Sequence, residues 1–349
     1  ILSFATEGKE FFYGSVRCSL EFWSPWRLDS EDEELVQRLG LKEVGKELNQ
    51  ILKPAVLLEI MQNFSLFSSD KKKRRIKIIP RYQQYDGANK IVDRVLDGTI
   101  KQGLIWHFQG SGKSLLMVFA AQKLRRHPGL KSPTVVILVD RIDLDTQLTG
   151  TFNAADVSNL VAVDSIHELN DLLEKDTRKI LITTIHKFKD ATENMNTRSN
   201  IIVMADEAHR TQEGDLGRKM RAALPNAFYF GLTGTPVNKL DKNTFWAFGS
   251  EEDEGGYLSR YTFQESIRDN ATLPLHFEPR LVDVHVDKVL IDKGYKDMAE
   301  RASLSDEEAD ILSKKAAQMS VFLKSPERVH AIVDDITTHF RQKVQPHGF

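Results

Sequence analysis

The residues of this sequence best suited to chemistry lie in Ile105-Trp106-His107-Phe108-Gln109-Gly110-Ser111-Gly112-Lys113-Ser114. An apolar lead-in from Gly103 to Trp106 runs into a glycine-rich turn and then into helix-favouring residues, Leu115 to Ala121. That is the strand, loop and helix order of a phosphate-binding unit. Gly110 and Gly112 allow backbone N–H groups to turn inward around phosphate oxygens, and the following helix points its positive end at them. Lys113 adds a full charge, Ser114 has the hydroxyl to hold a magnesium ion, and Gln109 and Ser111 complete the loop. The consensus spacing G-x-x-x-x-G-K-[ST] has glycine where this chain has His107.

A second chemical set ends the apolar run Ile201 to Ala205, which passes directly into Asp206-Glu207-Ala208-His209-Arg210. Two adjacent carboxylates at a strand end suit a magnesium-nucleotide site, Asp206 holding the metal and Glu207 activating the attacking water. A third set, Gly231-Leu232-Thr233-Gly234-Thr235-Pro236, offers small hydroxyl residues and glycine that can pass a change at the γ-phosphate across a cleft.

The elements that must position these sets are apolar runs at 134–139, 179–184, 201–205 and 227–232, each too continuous for a half-exposed strand. Helical text separates them, one piece opened by the capping box Ser165-Ile166-His167-Glu168. Alternation of this kind predicts an α/β fold: a parallel sheet flanked by helices, with ligands at the carboxyl ends of its strands.

Length, 349 residues, predicts two or more domains, and a net charge of −2 confines any nucleic-acid surface to a local patch. The single cysteine, Cys18, excludes an internal disulfide framework, fits a cytoplasmic location and reads as a small buried hydrophobe. No apolar run reaches membrane-spanning length. The start at Ile1 without methionine reads as a piece of something longer.

Residues 1–27 read as β-structure ending in a turn at Trp23-Ser24-Pro25-Trp26. From Asp29 the text becomes acidic and helical, and Val44 to Met61 carries apolar residues at helical spacing. Asp70-Lys71-Lys72-Lys73-Arg74-Arg75-Ile76-Lys77 is the strongest charge run and marks a domain boundary; it is either a solvated hairpin or linker, or a phosphate-backbone contact. The segment Arg81 to Val92 leads into a helix ahead of the loop strand, Glu251 to Gly256 reads as a flexible loop, and 281–286 reads as a strand followed by helical text to Val344.

In their order, Gln-Gly-Ser-Gly-Lys-Ser, Val-Asp-Arg-Ile-Asp-Leu-Asp-Thr-Gln (139–147), Thr-Thr-Ile-His-Lys-Phe (183–188), Asp-Glu-Ala-His-Arg and Gly-Leu-Thr-Gly-Thr-Pro, these sets resemble the first motor lobe of superfamily 2 helicases and translocases. More narrowly, Trp106-His107 before the loop, Val-Asp-Arg-x-x-Leu-Asp-x-Gln, and Tyr-x-Gln-x-x-x-x-Asn-Lys at 82–90 resemble the restriction (motor) subunit of type I restriction-modification enzymes. The resemblance implies a RecA-like lobe that uses ATP and Mg2+. Lys113 and Ser114 would contact phosphate and magnesium, Gln84 would read adenine with Gln83 the alternative register, and Asp206 and Glu207 would keep the roles given above. His209, Thr233 and Thr235 would couple hydrolysis to DNA, and Arg141 and Thr184 would face the DNA backbone, with helix capping or an ion pair the alternative for Arg141.

It also implies a domain order: 1–75 the trailing part of an N-terminal α/β nuclease domain, 76–275 the first motor lobe, and 276–349 the truncated start of a second RecA-like lobe. Glu7-Gly8-Lys9 matches three letters of a nuclease motif but lacks an upstream aspartate strand, and so is not taken as catalytic. The implied partners are double-stranded DNA and methyltransferase and specificity subunits, with no membrane. The implied function is ATP-driven DNA translocation before cleavage of foreign DNA, and without an arginine from a second lobe this stretch alone would be a poor ATPase. The alternatives are a superfamily 2 helicase or remodelling ATPase outside restriction, and a nucleotide-gated DNA-binding module.

Overall fold

The computed structural model describes residues 2–28, 37, 38, 40, 42–69, 75–139, 159–208, 215–236, 244–274 and 326–344. The chain forms two compact units, Ile1–Pro274 and Leu275–Phe349.

The first unit opens with an antiparallel pair, β1 (Leu2–Thr6) and β2 (Phe11–Ser15), joined through Leu2↔Ser15 and Thr6↔Phe11. Two helices follow, α1 (Glu43–Ile51) and α2 (Pro54–Asn63). The helical spacing of Val44 to Met61 is thus divided in two. Pro54 has no N–H to continue the first helix but suits the first position of the second. A second hairpin, β3 (Leu66–Ser69) and β4 (Arg75–Ile78), leads to the long helix α3 (Tyr82–Asp97). The residues joining those two strands, 70–74, lie outside the described residues and include most of the basic run.

Among the described residues, seven strands make one sheet. They are β5 (Gln102–His107), β6 (Thr134–Val139), β7 (Leu160–Ala162), β8 (Ile180–Thr184), β9 (Ile201–Ala205), β10 (Phe228–Thr233) and β11 (Ser259–Tyr261). Their order is β11-β5-β10-β9-β6-β8-β7, and every pairing is parallel. The flanking helices are α4 (Lys113–Arg126), α5 (Ile166–Glu174), α6 (Asp215–Ala223), α7 (Thr244–Phe248) and α8 (Phe263–Arg268). The expected RecA-like architecture, a parallel sheet flanked by helices, is what the first unit adopts. Two short strands, β7 and β11, escaped the sequence pattern because three residues carry no legible period.

Strand alternation divides the core in two. On one face Ile105, Val135, Ile137, Val139, Met204 and Phe230 pack with α3 and α4; on the other, Leu104, Val136, Leu138, Val203 and Tyr229 pack with α5, α6 and α7. Both faces are covered, which is why these strands are apolar throughout. The first face also holds Phe11, Tyr13, Trp26, Ile51, Ile60 and Phe64, so the N-terminal segment shares one core with the sheet. Trp26 lies 5.5 Å from the Tyr13 ring and 5.2 Å from Tyr85 of α3, and the Tyr13 hydroxyl donates to Pro80 O at 2.6 Å.

Two loop expectations change. Cys18 is half-buried rather than buried. The acidic stretch at 251–256 is anchored at its centre: Asp253 forms a part-buried ion pair with Arg94 of α3, whose guanidinium also donates to Gln102 O at 2.9 Å. Half of the expected Ser165–Glu168 capping box forms: Glu168 N donates to Ser165 Oγ at 3.1 Å, but the Glu168 carboxylate accepts from Asp164 N at 2.8 Å rather than from Ser165 N. In the second unit one helix is described, α9 (Pro326–His339), continued by a π turn over Phe340–Val344. The predicted strand at 281–286 lies outside the described residues. No helix among the described residues is long and apolar enough to cross a membrane.

Trp26 is fully buried between the N-terminal hairpin and α3. Truncation to Ala is expected to destabilise the unit by about 3–5 kcal/mol, measured by chemical denaturation. A loss under about 1 kcal/mol would mean that this contact does not join the segment to the sheet.

Candidate nucleotide site

Three of the chemical sets end neighbouring strands. The loop follows β5, the threonine set follows β10, and the acidic pair follows β9, in the spatial order β5-β10-β9. Register puts Thr233 beside Trp106, one residue before His107, and Gly231 beside Ala205, one residue before Asp206.

Gly110 and Gly112 have φ of +83° and +86°, the left-handed region that favours glycine. A Cβ on Gly112 would lie 2.2 Å from Gln84 Nε2, so the amide of Gln84 and the loop backbone share one space. Gln84 Nε2 donates to Gly112 O at 3.1 Å, while its Oε1 accepts from Arg81 N at 2.9 Å and caps α3. Gln83 Nε2 reaches Ser111 O at 3.5 Å, and its Oε1 is buried with no partner among the described residues. Lys113 is buried, its Nζ donating to His107 O at 3.3 Å.

The threonine set closes on this loop through glycine. A Cβ at Gly234 would lie 3.1 Å from Gln109 N and 3.5 Å from Lys113 Nζ, and the Trp106 indole donates to Gly234 O at 3.2 Å. Thr233 is fully buried, and its Oγ1 accepts from Thr235 N at 3.1 Å. At the acidic pair, Asp206 N continues the sheet ladder to Leu138 O at 2.8 Å, and Asp206 Oδ1 accepts from Glu207 N at 3.0 Å. Glu207 has φ of +47°, a strained value for a residue with a Cβ and of a kind that clusters at functional sites. The turn is tight against β10: a Cβ on Gly231 would lie 2.8 Å from Ala208 Cβ.

The residues suit a magnesium-bound polyphosphate. Gly110 and Gly112 turn the loop backbone through positive φ, the Ser111 hydroxyl is buried with no partner among the described residues, and Lys113 begins the helix that follows. Thr184 ends β8 and is buried, beside Val139 at the end of β6. Arg141 and His209 lie outside the described residues.

Three contributors escaped the sequence reading, Asp86, Ser259 and Asp269, and His107, singled out there for its place in the loop, gains a partner. His107 is fully buried, its Nε2 3.1 Å from Ser259 Oγ, which donates to Asp86 Oδ2 at 3.1 Å. Burial, and then the charges of Lys113 and Lys90, hold the His107 imidazole down to a pKa of about 3. Asp269 is a buried hub for distant segments. It accepts from the Tyr82 hydroxyl at 2.7 Å and the Tyr261 hydroxyl at 3.1 Å, and lies 3.0 Å from Arg27 Nε and 3.3 Å from Arg268 Nε. Burial, followed by the Asp269 charge, raises the pKa of both phenols. Isolated Ser, Asp and His positions carry no motif spacing, so only the Trp106-His107 pair could have hinted at them.

The profile of the SWI2/SNF2 ATPase family matches residues 83–309. The HindI type I restriction enzyme endonuclease subunit of Haemophilus influenzae is 33% identical over 360 residues, 95% of this chain and 32% of that protein. The SsaAORF53P type I endonuclease subunit of Staphylococcus saprophyticus is 33% identical over 182 residues, 50% of this chain and 19% of that protein. The chain spans about a third of the length of the first curated relatives it matches. Among solved structures, a fragment described as an HsdR subunit of a type I restriction enzyme from Vibrio vulnificus is 17% identical, covering 77% of this chain and 42% of that one with a TM-score of 0.38. The SWI2/SNF2 ATPase core from Sulfolobus solfataricus is 18% identical, covering 47% and 33% with a TM-score of 0.37.

The depressed His107 value has a signed consequence. The unfolded chain binds a proton near the ordinary value of 6.5 that the folded chain refuses until about 3. Stability is therefore lost as pH falls through that window, by up to about 1.4 kcal/mol per unit from this residue. Unfolding free energies at pH 7 and pH 5 should differ by less in His107→Gln than in the wild type; an identical pH slope would refute the assignment.

Proposed function

The chain belongs to the SWI2/SNF2 ATPase family, and from that premise we propose that it is the ATP-dependent DNA-translocating part of a type I restriction endonuclease subunit. The carrying observation is the meeting of the loop with the threonine set at Gly234, with the acidic pair ending the next strand. The identity to restriction endonuclease subunits over most of the chain supports the restriction setting. In this reading residues 1–75 trail a nuclease domain, 76–275 form the first motor lobe and 276–349 begin the second. Methyltransferase and specificity subunits are the partners, double-stranded DNA is the track, and the cytoplasm is the location.

The chemistry follows from the residues. The backbone N–H groups of Gln109 to Gly112 and the N-terminus of α4 receive the phosphates, and Lys113 exchanges its His107 carbonyl contact for a phosphate oxygen. Ser114 and Asp206 would hold Mg2+, which would neutralise phosphate charge. Glu207 orients the attacking water from its strained backbone position. Gln84 reads adenine by exchanging its loop contact for the base edge, with Gln83 beside it. His209, Thr233 and Thr235 transmit phosphate loss towards DNA, whose backbone Arg141 and Thr184 face. The DNA contacts fall on backbone phosphates, so partners read the target sequence.

DNA-stimulated ATP hydrolysis by the full-length protein, assembled with its partner subunits, tests this reading. Lys113→Ala and Glu207→Gln should each lower turnover by at least about a hundredfold, Glu207→Gln while keeping ATP binding. Unchanged turnover in either variant would refute the site assignment.

The basic run gives a separate prediction. Neutralising Lys71, Lys72 and Lys73 should flatten the salt dependence of DNA binding by about one in log–log slope per lost phosphate contact. An unaltered slope would identify the run as a solvated hairpin or linker.

A further inference from the structure

We propose that Asp86, Ser259 and His107 form a hydrogen-bonded strut that fixes the first residue of the phosphate loop, so that the loop is set to receive nucleotide before any arrives. His107 is a positioning residue here, standing where the consensus loop has a flexible glycine. The proposal rests on the ATP-binding reading above and adds to it the device that holds the site open.

Donor and acceptor logic gives the strut one direction. Asp86 is an ion-paired carboxylate, 2.9 Å from Lys90 Nζ, and can only accept, so the Ser259 hydroxyl donates to it. The serine oxygen is then an acceptor for the Nε2–H of a neutral His107 ring 3.1 Å away. The other ring nitrogen, Nδ1, is buried with no partner among the described residues, so Ser259 is the polar anchor of this ring. The strut crosses three distant segments: Asp86 on α3, His107 at the end of β5 and Ser259 on β11.

Packing makes room for the ring. A Cβ on Gly87 would lie 3.3 Å from His107 Cε1, so α3 leaves space there, and Tyr261 meets the ring edge-on at 6.0 Å. The backbone on either side is held as well. His107 O accepts from Lys113 Nζ at 3.3 Å, and Phe108 N donates to Tyr261 O at 2.9 Å. Displacing His107 therefore moves the carbonyl on which Lys113 waits. Because nucleotide itself orders the loop once bound, loss of the strut should weaken capture of ATP and spare turnover at saturation.

The test uses the full-length protein, with the KM for ATP and kcat of DNA-stimulated hydrolysis and direct binding of a mant-labelled ATP with Mg2+. Ser259→Ala and Asp86→Ala should each raise KM and the dissociation constant about fivefold, the worth of one net hydrogen bond. Their kcat should stay within about twofold, with thermal midpoints recorded to separate unfolding from mispositioning. The double variant should be no worse than either single one, since both cut the same strut. Asp86→Asn keeps an acceptor for Ser259 and should restore the wild-type KM, and Lys90→Ala, which removes the ion-pair partner of Asp86 but neither hydrogen bond of the strut, should match it. The strut is refuted if both alanine variants bind ATP like the wild type, if kcat falls while KM holds, or if Asp86→Asn is as impaired as Asp86→Ala. Lys113→Ala distinguishes the two levels: undiminished nucleotide binding there overturns the ATP site itself, whereas lost binding there with unaffected strut variants overturns the strut alone.

Discussion

The side-chain amide of Gln84 carries two obligations at once, and the arrangement of the nucleotide end follows from them. Its carbonyl oxygen caps α3 at Arg81 N, and its nitrogen donates to the loop carbonyl of Gly112. A helix start has unpaired N–H groups and a phosphate loop has carbonyls turned away from its cradle; one glutamine satisfies both. Because the amide lies where a Cβ at 112 would be, the loop requires glycine there for contact as well as for its positive φ.

The same economy extends outwards from α3. Tyr82, two residues before Gln84, hands its hydroxyl to Asp269, which also meets Tyr261 and lies in ion-pair range of Arg27 and Arg268. The start of α3 is thereby tied to the N-terminal segment and to the chain after β11. A buried carboxylate with this many donors is costly to strip of any one of them, because the charge would remain without compensation. Trp26 and Tyr13 add apolar contacts between the N-terminal segment and α3. Residues outside the candidate motifs therefore set the position of those within them.

At the strand ends, closeness is obtained with small residues and strain. Gly234 lets the backbone after β10 touch the loop, Gly231 lets the turn after β9 lie on β10, and Glu207 takes a left-handed backbone. Each departure sits beside a residue with an assigned chemical role, which is where local conformational cost is tolerated.

How much of this could be read beforehand differs element by element, for physical reasons. The phosphate loop, the acidic pair and the central strands were legible because each is a local pattern: glycines at fixed offsets, carboxylates ending an apolar run, β-branched residues in unbroken series. The division of Val44 to Met61 into two helices was also written locally, in Pro54, although apolar spacing masked it. Short strands such as β11 were not legible, since three residues have no period. Nor were the Asp86, Ser259 and His107 contacts or the Asp269 hub, which join residues as distant in sequence as Arg27 and Asp269. By itself the sequence determined the chemistry available at each strand end and the two-sided parallel sheet that holds it. Only the tertiary structure decided what orders the loop and which flank it leans on, because hydrogen bonds between distant segments depend on packing that no local spacing encodes.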